Sequence, residues 1–285
     1  MGFWGKLPLI SIVDFFNKFS IMTHSTKEIS LSQDISIGGA AVVLMAGPCS
    51  VETYQQTYET AKAIHDVGGK VLRGGAFKPR SSPHSFQGLG IEGLEILRAV
   101  ADEFGMLVVS EALSVEMLPK IMEYVDIIQV GSRNMQHFPL LWAVGGLDIP
   151  VMLKRGFMST IDEWLLAAEH ISSRGNKKII LCERGVRGFE PQMRNILDVN
   201  GIALAKQLSS YPVMGDPSHA TGRADLVLPA ARAAVAAGAD GLLVELHPDP
   251  QNALSDGKQA LKLGELPNFI AETSRIAAAM GREII

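Results

Sequence analysis

Cysteine is scarce in this chain: 285 residues carry only Cys49 and Cys182. Two thiols cannot form a disulfide framework, so they read as free thiols of a reducing, cytoplasmic compartment. Charge is also sparse, at 20% of residues against 47% hydrophobic, which excludes an intrinsically disordered chain. Neither sign dominates: 26 Lys and Arg face 30 Asp and Glu, a net charge of -4. No basic excess advertises nucleic acid, so the partner is expected to be small and any positive charge local. Long apolar runs are missing too. None reaches the ~18 residues of a membrane span. The opening MGFWGKLPLISIVDFFNKFS is interrupted by Lys6, Pro8, Asp14, Asn17 and Lys18. Its longest clean stretch, Leu9 to Val13, is shorter than the ~7–15-residue apolar region of a secretion signal, and no small-residue cleavage site follows. Lys6 stands where a myristoylation pattern needs Ser or Thr. Residues 1–21 read as a tail or an upstream start, with Met22 as an alternative first residue.

What the sequence does contain is a repeated alternation. Short apolar runs occur at Val42–Ala46, Lys70–Leu72, Met106–Ser110, Asp126–Val130, Pro150–Leu153, Lys178–Cys182, Tyr211–Met214 and Gly241–Val244. Near-continuous apolar strands imply burial on both faces, as in a parallel sheet. Between them lie segments of helical spacing: 52–67, ending before Gly68-Gly69; 91–104, with Leu94, Leu97, Val100 and Ala101 on one face; 160–173, with Ile161, Leu165, Ala168 and Ile171; and 225–237, ending at Gly238. A last segment spaces Leu266, Phe269, Ile270, Ile276, Ala277 and Met280 similarly. Eight such units predict an α/β protein, a (β/α)8 TIM barrel over 41–285, with a doubly wound open sheet as the alternative. Residues 29–40 alternate apolar and polar and predict a short β-hairpin extension capping the bottom of the barrel. The expected organisation is therefore 1–40 as N-terminal tail and hairpin, and 41–285 as the catalytic barrel.

In such a barrel, chemistry sits where the strands end. Every run here delivers a polar or charged residue at that end. One group is cationic: Arg73, Lys78, Arg80, Arg133, Lys154 and Arg184. A single one would read as a solvated or salt-bridged surface residue. Their recurrence at successive strand ends predicts an anion site, with Arg as a planar fork and Lys as a point charge. A second group is Cys49, His219, Glu245 and Asp256, a thiolate, an imidazole and two carboxylates. It suits a divalent metal such as Mn, Fe or Zn without choosing among them. The sequence spacing is too wide to be a metal motif by itself; the set requires the barrel to bring the first, seventh and eighth strands together. Otherwise Cys49 is a small core residue and His219 a hydrogen-bonded loop histidine. Cys182, inside a strand run, reads as core. A third feature is Gly74-Gly75 followed by Lys78-Pro79-Arg80-Ser81-Ser82-Pro83, a stiffened loop dense in donors for phosphate. It lacks P-loop spacing, so no nucleotide is implied.

At these residues the sequence resembles the 3-deoxy-D-arabino-heptulosonate 7-phosphate (DAHP) synthases, most closely their type Iβ branch. The resemblance is carried by AGPCSVE (46–52), LRGGAFKPRSSPHSFQGLG (72–90), QVGSRN (129–134), LKRGFMST (153–160), LCERG (181–185), DPSHATGR (216–223), VELHPDP (244–250) and ALSDGKQ (253–259). It implies condensation of phosphoenolpyruvate with erythrose 4-phosphate, the first step of the shikimate pathway to chorismate and the aromatic amino acids. It implies one divalent metal, Mn, Fe, Zn or Co, held by Cys49, His219, Glu245 and Asp256. Phosphoenolpyruvate would be bound by Arg73, Lys78, Arg133, Lys154 and Arg184. Erythrose 4-phosphate would meet Lys78, Pro79, Arg80, Ser81 and Ser82, with Asp256 near its hydroxyls, and Lys78 is the candidate catalytic proton donor. Ser81 replaces the family's usual threonine and keeps its hydroxyl. The alternatives are the sister octulosonate 8-phosphate synthase acting on arabinose 5-phosphate, which typically lacks the KPR[ST]S text, and a noncatalytic anion-binding barrel. Neither a nucleic acid nor a membrane partner is expected; a homo-oligomer, tetramer or dimer, is. The segment before the barrel is too short for the regulatory domains that some relatives carry, so feedback inhibition through one is not expected.

Overall fold

The computed structural model of this chain describes residues 25–79, 82 and 84–285. The expectations placed on residues 1–21, Arg80, Ser81 and Pro83 lie outside the described residues. Eight parallel strands follow the eight apolar runs: β3 (Ala41–Gly47), β4 (Val71–Arg73), β5 (Leu107–Ala112), β6 (Ile127–Val130), β7 (Val151–Lys154), β8 (Ile179–Glu183), β9 (Val213–Gly215) and β10 (Gly241–His247). Each pairs with the next, and β10 pairs with β3 from Gly241↔Val43 to Glu245↔Gly47, which closes the barrel. Two short strands, β1 (Ile29–Ser30) and β2 (Ser36–Ile37), form the antiparallel hairpin that precedes it. Late in the chain, β11 (Leu261–Lys262) adds to β10, and β12 (Glu283–Ile284) adds to β3.

Alternation along each strand sorts the residues into two cores. Val43, Met45, Val71, Val109, Ile127, Met152, Ile180, Cys182, Met214 and Leu243 fill the lumen as one cluster that also includes Ile29, Leu31, Ile35 and Ile37 of the hairpin. The hairpin therefore seals the end of the lumen where the strands begin. Their neighbours Val42, Leu44, Leu72, Val108, Ile128, Leu153, Leu181 and Val244 face outward into the helical layer. One step further along each strand, the lumen-side positions hold Arg73, Gln129, Lys154, Asp216 and Glu245, all buried. The same alternation that builds the apolar core thus aims polar side chains into the open end.

The helices start where their caps direct. The Thr53 hydroxyl accepts from Gln56 N and opens helix Tyr54–Asp66. Thr160 and Glu163 form a reciprocal capping box at helix Ile161–Ser172. Ile161, Ala168 and Ile171 are buried as the spacing predicts, and Leu165 is the one expected position that departs. Trp164 is fully buried and donates to Leu153 O at 3.1 Å, whereas Leu165 is only partly buried. The final helix, Leu266–Ala279, buries Leu266, Phe269, Thr273 and Ala277 but leaves Met280, just past its end, exposed. Helices Phe138–Gly145 and Val199–Leu208 carried no clear amphipathic signal, and the connection after β5 holds only the single turn Leu118–Ile121.

Gly47, the last residue of β3, leaves no room for a side chain against β4. Its φ is +152°, and a Cβ there would lie 1.9 Å from the Arg73 carbonyl oxygen. Gly47→Ala must push β3 and β4 apart directly beneath the site. We expect it to destabilise the fold by about 1–3 kcal/mol, the usual range for imposed backbone strain. Equilibrium unfolding checks this, and an unchanged midpoint would contradict it.

Candidate active site

Cys49 follows β3 after Gly47-Pro48. His219 lies in the short helix Pro217–Thr221 after β9, and Glu245 in β10. Asp256 sits in the loop after β10 with a left-handed φ of 47°. One ligand atom from each of these four residues lies within 4.8 Å of the others. Asp216 organises the group. Its Oδ1 accepts from His219 N at 2.9 Å, and its Oδ2 lies 2.8 Å from His219 Nδ1 and 2.6 Å from Lys154 Nζ. With Nδ1 turned to Asp216, His219 Nε2 faces the cluster, 3.2 Å from Glu245 Oε1. Glu245 Oε1 also accepts from Arg73 at 3.0 Å, and its Oε2 accepts from Gln259 Nε2 at 2.7 Å. Lys78 Nζ lies 2.8 Å from Cys49 O and 3.1 Å from Cys49 Sγ.

The electrostatics follow from burial and these neighbours. Burial pushes the His219 imidazole down to about 4 despite the carboxylates of Asp216 and Glu245, so it is neutral with a free lone pair. Burial alone would raise Glu245, but His219, Arg73 and Lys78 outweigh it and hold the carboxyl below its ordinary value. Asp216 is held well below its ordinary value because His219 and Lys154 overcome its desolvation. Burial and Glu245 push the Cys49 thiol up against the pull of Lys78. A neutral imidazole, two carboxylates and one thiol in a partly buried cluster fit a divalent transition metal, and binding would release the thiol proton.

Beside this cluster opens a cavity lined by Arg73, Lys78, Arg133, Lys154, Arg184 and Arg194. The ring of Phe157 organises its rim: the guanidinium carbons of Arg133 and Arg184 lie 5.5 and 4.6 Å from the ring centroid. Arg184 Nη1 is buried without a hydrogen-bond partner among the described residues. Burial lowers the Arg184 guanidinium below its ordinary value, which an entering anion would reverse. The cations over one cavity, two of them (Arg73 at Nε and Arg184 at Nη1) with a buried unmet donor among the described residues, make an anion receptor.

The structure therefore brings Arg73, Lys78, Arg133, Lys154 and Arg184 together beside Cys49, His219, Glu245 and Asp256. Pro79 lines the same cavity. Ser82 is exposed, with its Oγ 3.3 Å from His84 N, and does not line it. Cys182 is fully buried in the lumen, and burial pushes its thiol up to about 12. Sequence reasoning assigned no role to Asp216, Glu111, Gln129, Phe157, Arg194 or Gln259. Three of these carried a signal: Glu111, Gln129 and Asp216 continue the inward positions of β5, β6 and β9. Arg194 lies mid-loop, where no periodicity applies, yet it donates to Asp256 Oδ2 at 3.2 Å and Gln259 Oε1 at 3.1 Å.

The His219 shift has a measurable consequence in metal-free protein. Between pH 6.5 and about 4 the unfolded chain binds a proton at this residue that the folded chain refuses. This contribution to stability is complete above pH 6.5, falls as pH drops through that window and levels off below about 4. Urea unfolding at stepped pH should show a shallower decline for His219→Gln over that window. Parallel curves would contradict the assignment.

Among the described residues, no helix is long and apolar enough to cross a membrane. The sequence matches the DAHP synthetase I family over residues 25–280. A phospho-2-dehydro-3-deoxyheptonate aldolase of Thermotoga maritima is 53% identical over 251 residues, covering 88% of this chain and 74% of that protein. A 2-dehydro-3-deoxyphosphooctonate aldolase of Geobacter sulfurreducens is 34% identical over 274 residues, covering 89% of this chain and 98% of the relative. The crystal structure of the Thermotoga maritima DAHP synthase superposes with a TM-score of 0.89 at 51% identity, covering 92% of this chain and 76% of that one. A truncated form of the 3-deoxy-D-arabino-heptulosonate 7-phosphate synthase from the same organism gives 0.85 at 48%, covering 92% and 95%. With one family matched across nearly the whole barrel, the chain belongs to the DAHP synthetase I family and is an enzyme, a transferase.

Proposed function

We propose that this enzyme condenses phosphoenolpyruvate with erythrose 4-phosphate and water, giving 3-deoxy-D-arabino-heptulosonate 7-phosphate and inorganic phosphate in the cytoplasm. The observation that carries this reading is the adjacency of two unlike sites: a cavity ringed by Arg73, Lys78, Arg133, Lys154 and Arg184, and the four-donor cluster beside it. The first suits a small, highly charged anion. The second suits activation of an electrophile. The heptulosonate relative, at 53% identity against 34% for the octulosonate one, supports the four-carbon aldose.

Arg133, Lys154 and Arg184 hold phosphoenolpyruvate through its carboxylate and phosphate. Lys154 keeps its position because Asp216 grips it at 2.6 Å. Phe157 packs against the guanidinium groups of Arg133 and Arg184, which would help hold their donors toward the anion. Cys49, His219, Glu245 and Asp256 would hold a divalent metal, which would supply Lewis acidity for polarising an aldehyde carbonyl. The new bond joins C3 of phosphoenolpyruvate to C1 of the aldose. Lys78, beside Cys49, delivers a proton to the aldehyde oxygen. Water adds at C2 of the enolpyruvyl unit, and phosphate leaves by C–O cleavage. Arg184 and Arg133 stabilise the charge that develops on the departing phosphate.

Steady-state phosphate release with each aldose phosphate tests the assignment. Erythrose 4-phosphate is expected to give the higher kcat/KM; preference for arabinose 5-phosphate would overturn it. Arg133→Ala removes a charge-assisted contact worth about 1.5–3 kcal/mol. The KM for phosphoenolpyruvate should rise at least about tenfold, and that for erythrose 4-phosphate much less. Equal rises would remove Arg133 from the phosphoenolpyruvate site.

A further inference from the structure

Glu52 and His247 stand in two of the quoted motifs, AGPCSVE and VELHPDP, yet neither enters the chemistry above. Both are largely buried, with side chains 10% and 8% exposed. Glu52 Oε1 accepts from Leu254 N at 2.8 Å, and its Oε2 lies 3.4 Å from His247 Nε2. His247 Nδ1 in turn accepts from Asp249 N at 3.0 Å. A second tether runs beside the first, where the hydroxyls of Ser50 and Ser255 are hydrogen-bonded.

These contacts join two segments far apart in sequence. Residues 49–52 follow β3 and carry Cys49. Residues 248–256 leave β10 at His247 and carry Asp256 before the chain rejoins β10 through β11. The second segment is tightly folded: Asp256 is left-handed, and a Cβ on Gly257 would lie 2.0 Å from Pro250 O. Asp256 caps the single 3-10 turn Gly257–Gln259, with its carbonyl accepting from Gln259 N at 3.1 Å, and Arg194 meets its carboxylate. Its place relative to Cys49 depends further on side chains that reach across to the end of β3. Glu52 spans the gap with one oxygen on the loop backbone and the other toward the histidine that starts it.

We infer that Glu52 is a positioning residue: it ties the Asp256 loop to the end of β3, so that Asp256 and Cys49 stand at the spacing one metal ion requires. The inference rests on the metal-dependent reading of this site. Its partners act in support, His247 at the start of the loop and the Ser50–Ser255 pair immediately before Asp256.

Titration of metal-free protein with Co2+ against a chromophoric chelator tests this without substrates. Wild type should bind with a thiolate-to-cobalt absorption band from Cys49. Absence of that band would overturn the metal reading itself, and the inference with it. Given the band, Glu52→Ala should weaken Co2+ affinity about 10- to 100-fold, the usual cost of losing an outer support of a metal ligand. The thiolate band should persist while the cobalt ligand-field bands move toward those of Asp256→Ala. Glu52→Gln keeps an acceptor for Leu254 N and should stay close to wild type. In an Asp256→Ala background, Glu52→Ala should add nothing, since it acts through the residue already removed. Should Glu52→Ala not fold, Ser255→Ala cuts the second tether and carries the same expectation in direction. Wild-type affinity in both alanine variants, an effect additive with Asp256→Ala, or equal losses in Glu52→Gln and Glu52→Ala would overturn the inference.

Discussion

Cys49→Ala is expected to reduce turnover by at least about 100-fold, whereas Cys182→Ala retains it. The two thiols differ in place. Cys49 Sγ lies 3.5 Å from Asp256 Oδ2 and 3.1 Å from Lys78 Nζ, at the mouth of the barrel. Cys182 packs in the lumen among Met152, Ile180 and Met214. Removing the first deletes the softest donor of the four-residue cluster. Several kcal/mol of electrophilic activation then go with it, and each 1.36 kcal/mol is a factor of ten. Removing the second leaves a small void in the core and costs about 1–2 kcal/mol of stability without touching the site. The assay is phosphate release with saturating substrates and each of several divalent ions. Wild-type turnover in Cys49→Ala with any of them would show that the thiol is not a required donor.

Asp216→Ala is expected to lower stability by about 3–5 kcal/mol and to weaken metal binding at the same time. Asp216 is fully buried between the Lys154 ammonium at 2.6 Å and the His219 imidazole Nδ1 at 2.8 Å. Its removal strands the Lys154 ammonium in a buried pocket and takes away the support that turns His219 Nε2 toward the cluster. Breaking a buried pair costs far more than the pair contributes, because the remaining charge has no solvent. For a chain of this size, the loss corresponds to a drop in thermal midpoint on the order of 10 °C. Lys154→Met with Asp216→Asn, which removes both charges, should recover much of the stability but not the activity. A wild-type midpoint and wild-type metal affinity in Asp216→Ala would contradict this.

Much of this arrangement was legible in the sequence because a closed parallel barrel leaves little freedom. Eight apolar runs became eight strands, and the polar residue closing each run fell on the open end. Arg73, Lys154 and Glu245 continue the inward alternation of their strands, so their place followed from their parity. Cys49 and His219 lie just beyond strand ends, and only the closure between β3 and β10 brings them beside Glu245. What could not be read depended on loops and on helix phase. Arg194 meets Asp256 through a loop with no periodic pattern. Trp164 shares the inner face with Ile161, Ala168 and Ile171 and took the place expected for Leu165, its indole N–H satisfied by Leu153 O. Helix Phe138–Gly145 is apolar nearly throughout, so it has no polar face to mark its period. Glu52 and His247 were visible as letters, but the strap they form needs the fold.

The most direct test of the account is phosphate release from phosphoenolpyruvate and erythrose 4-phosphate by enzyme stripped of metal, then restored with Mn2+. The account predicts no turnover in the stripped enzyme and, after restoration, one phosphate released for each erythrose 4-phosphate consumed. Undiminished turnover in protein shown to be metal-free would contradict it.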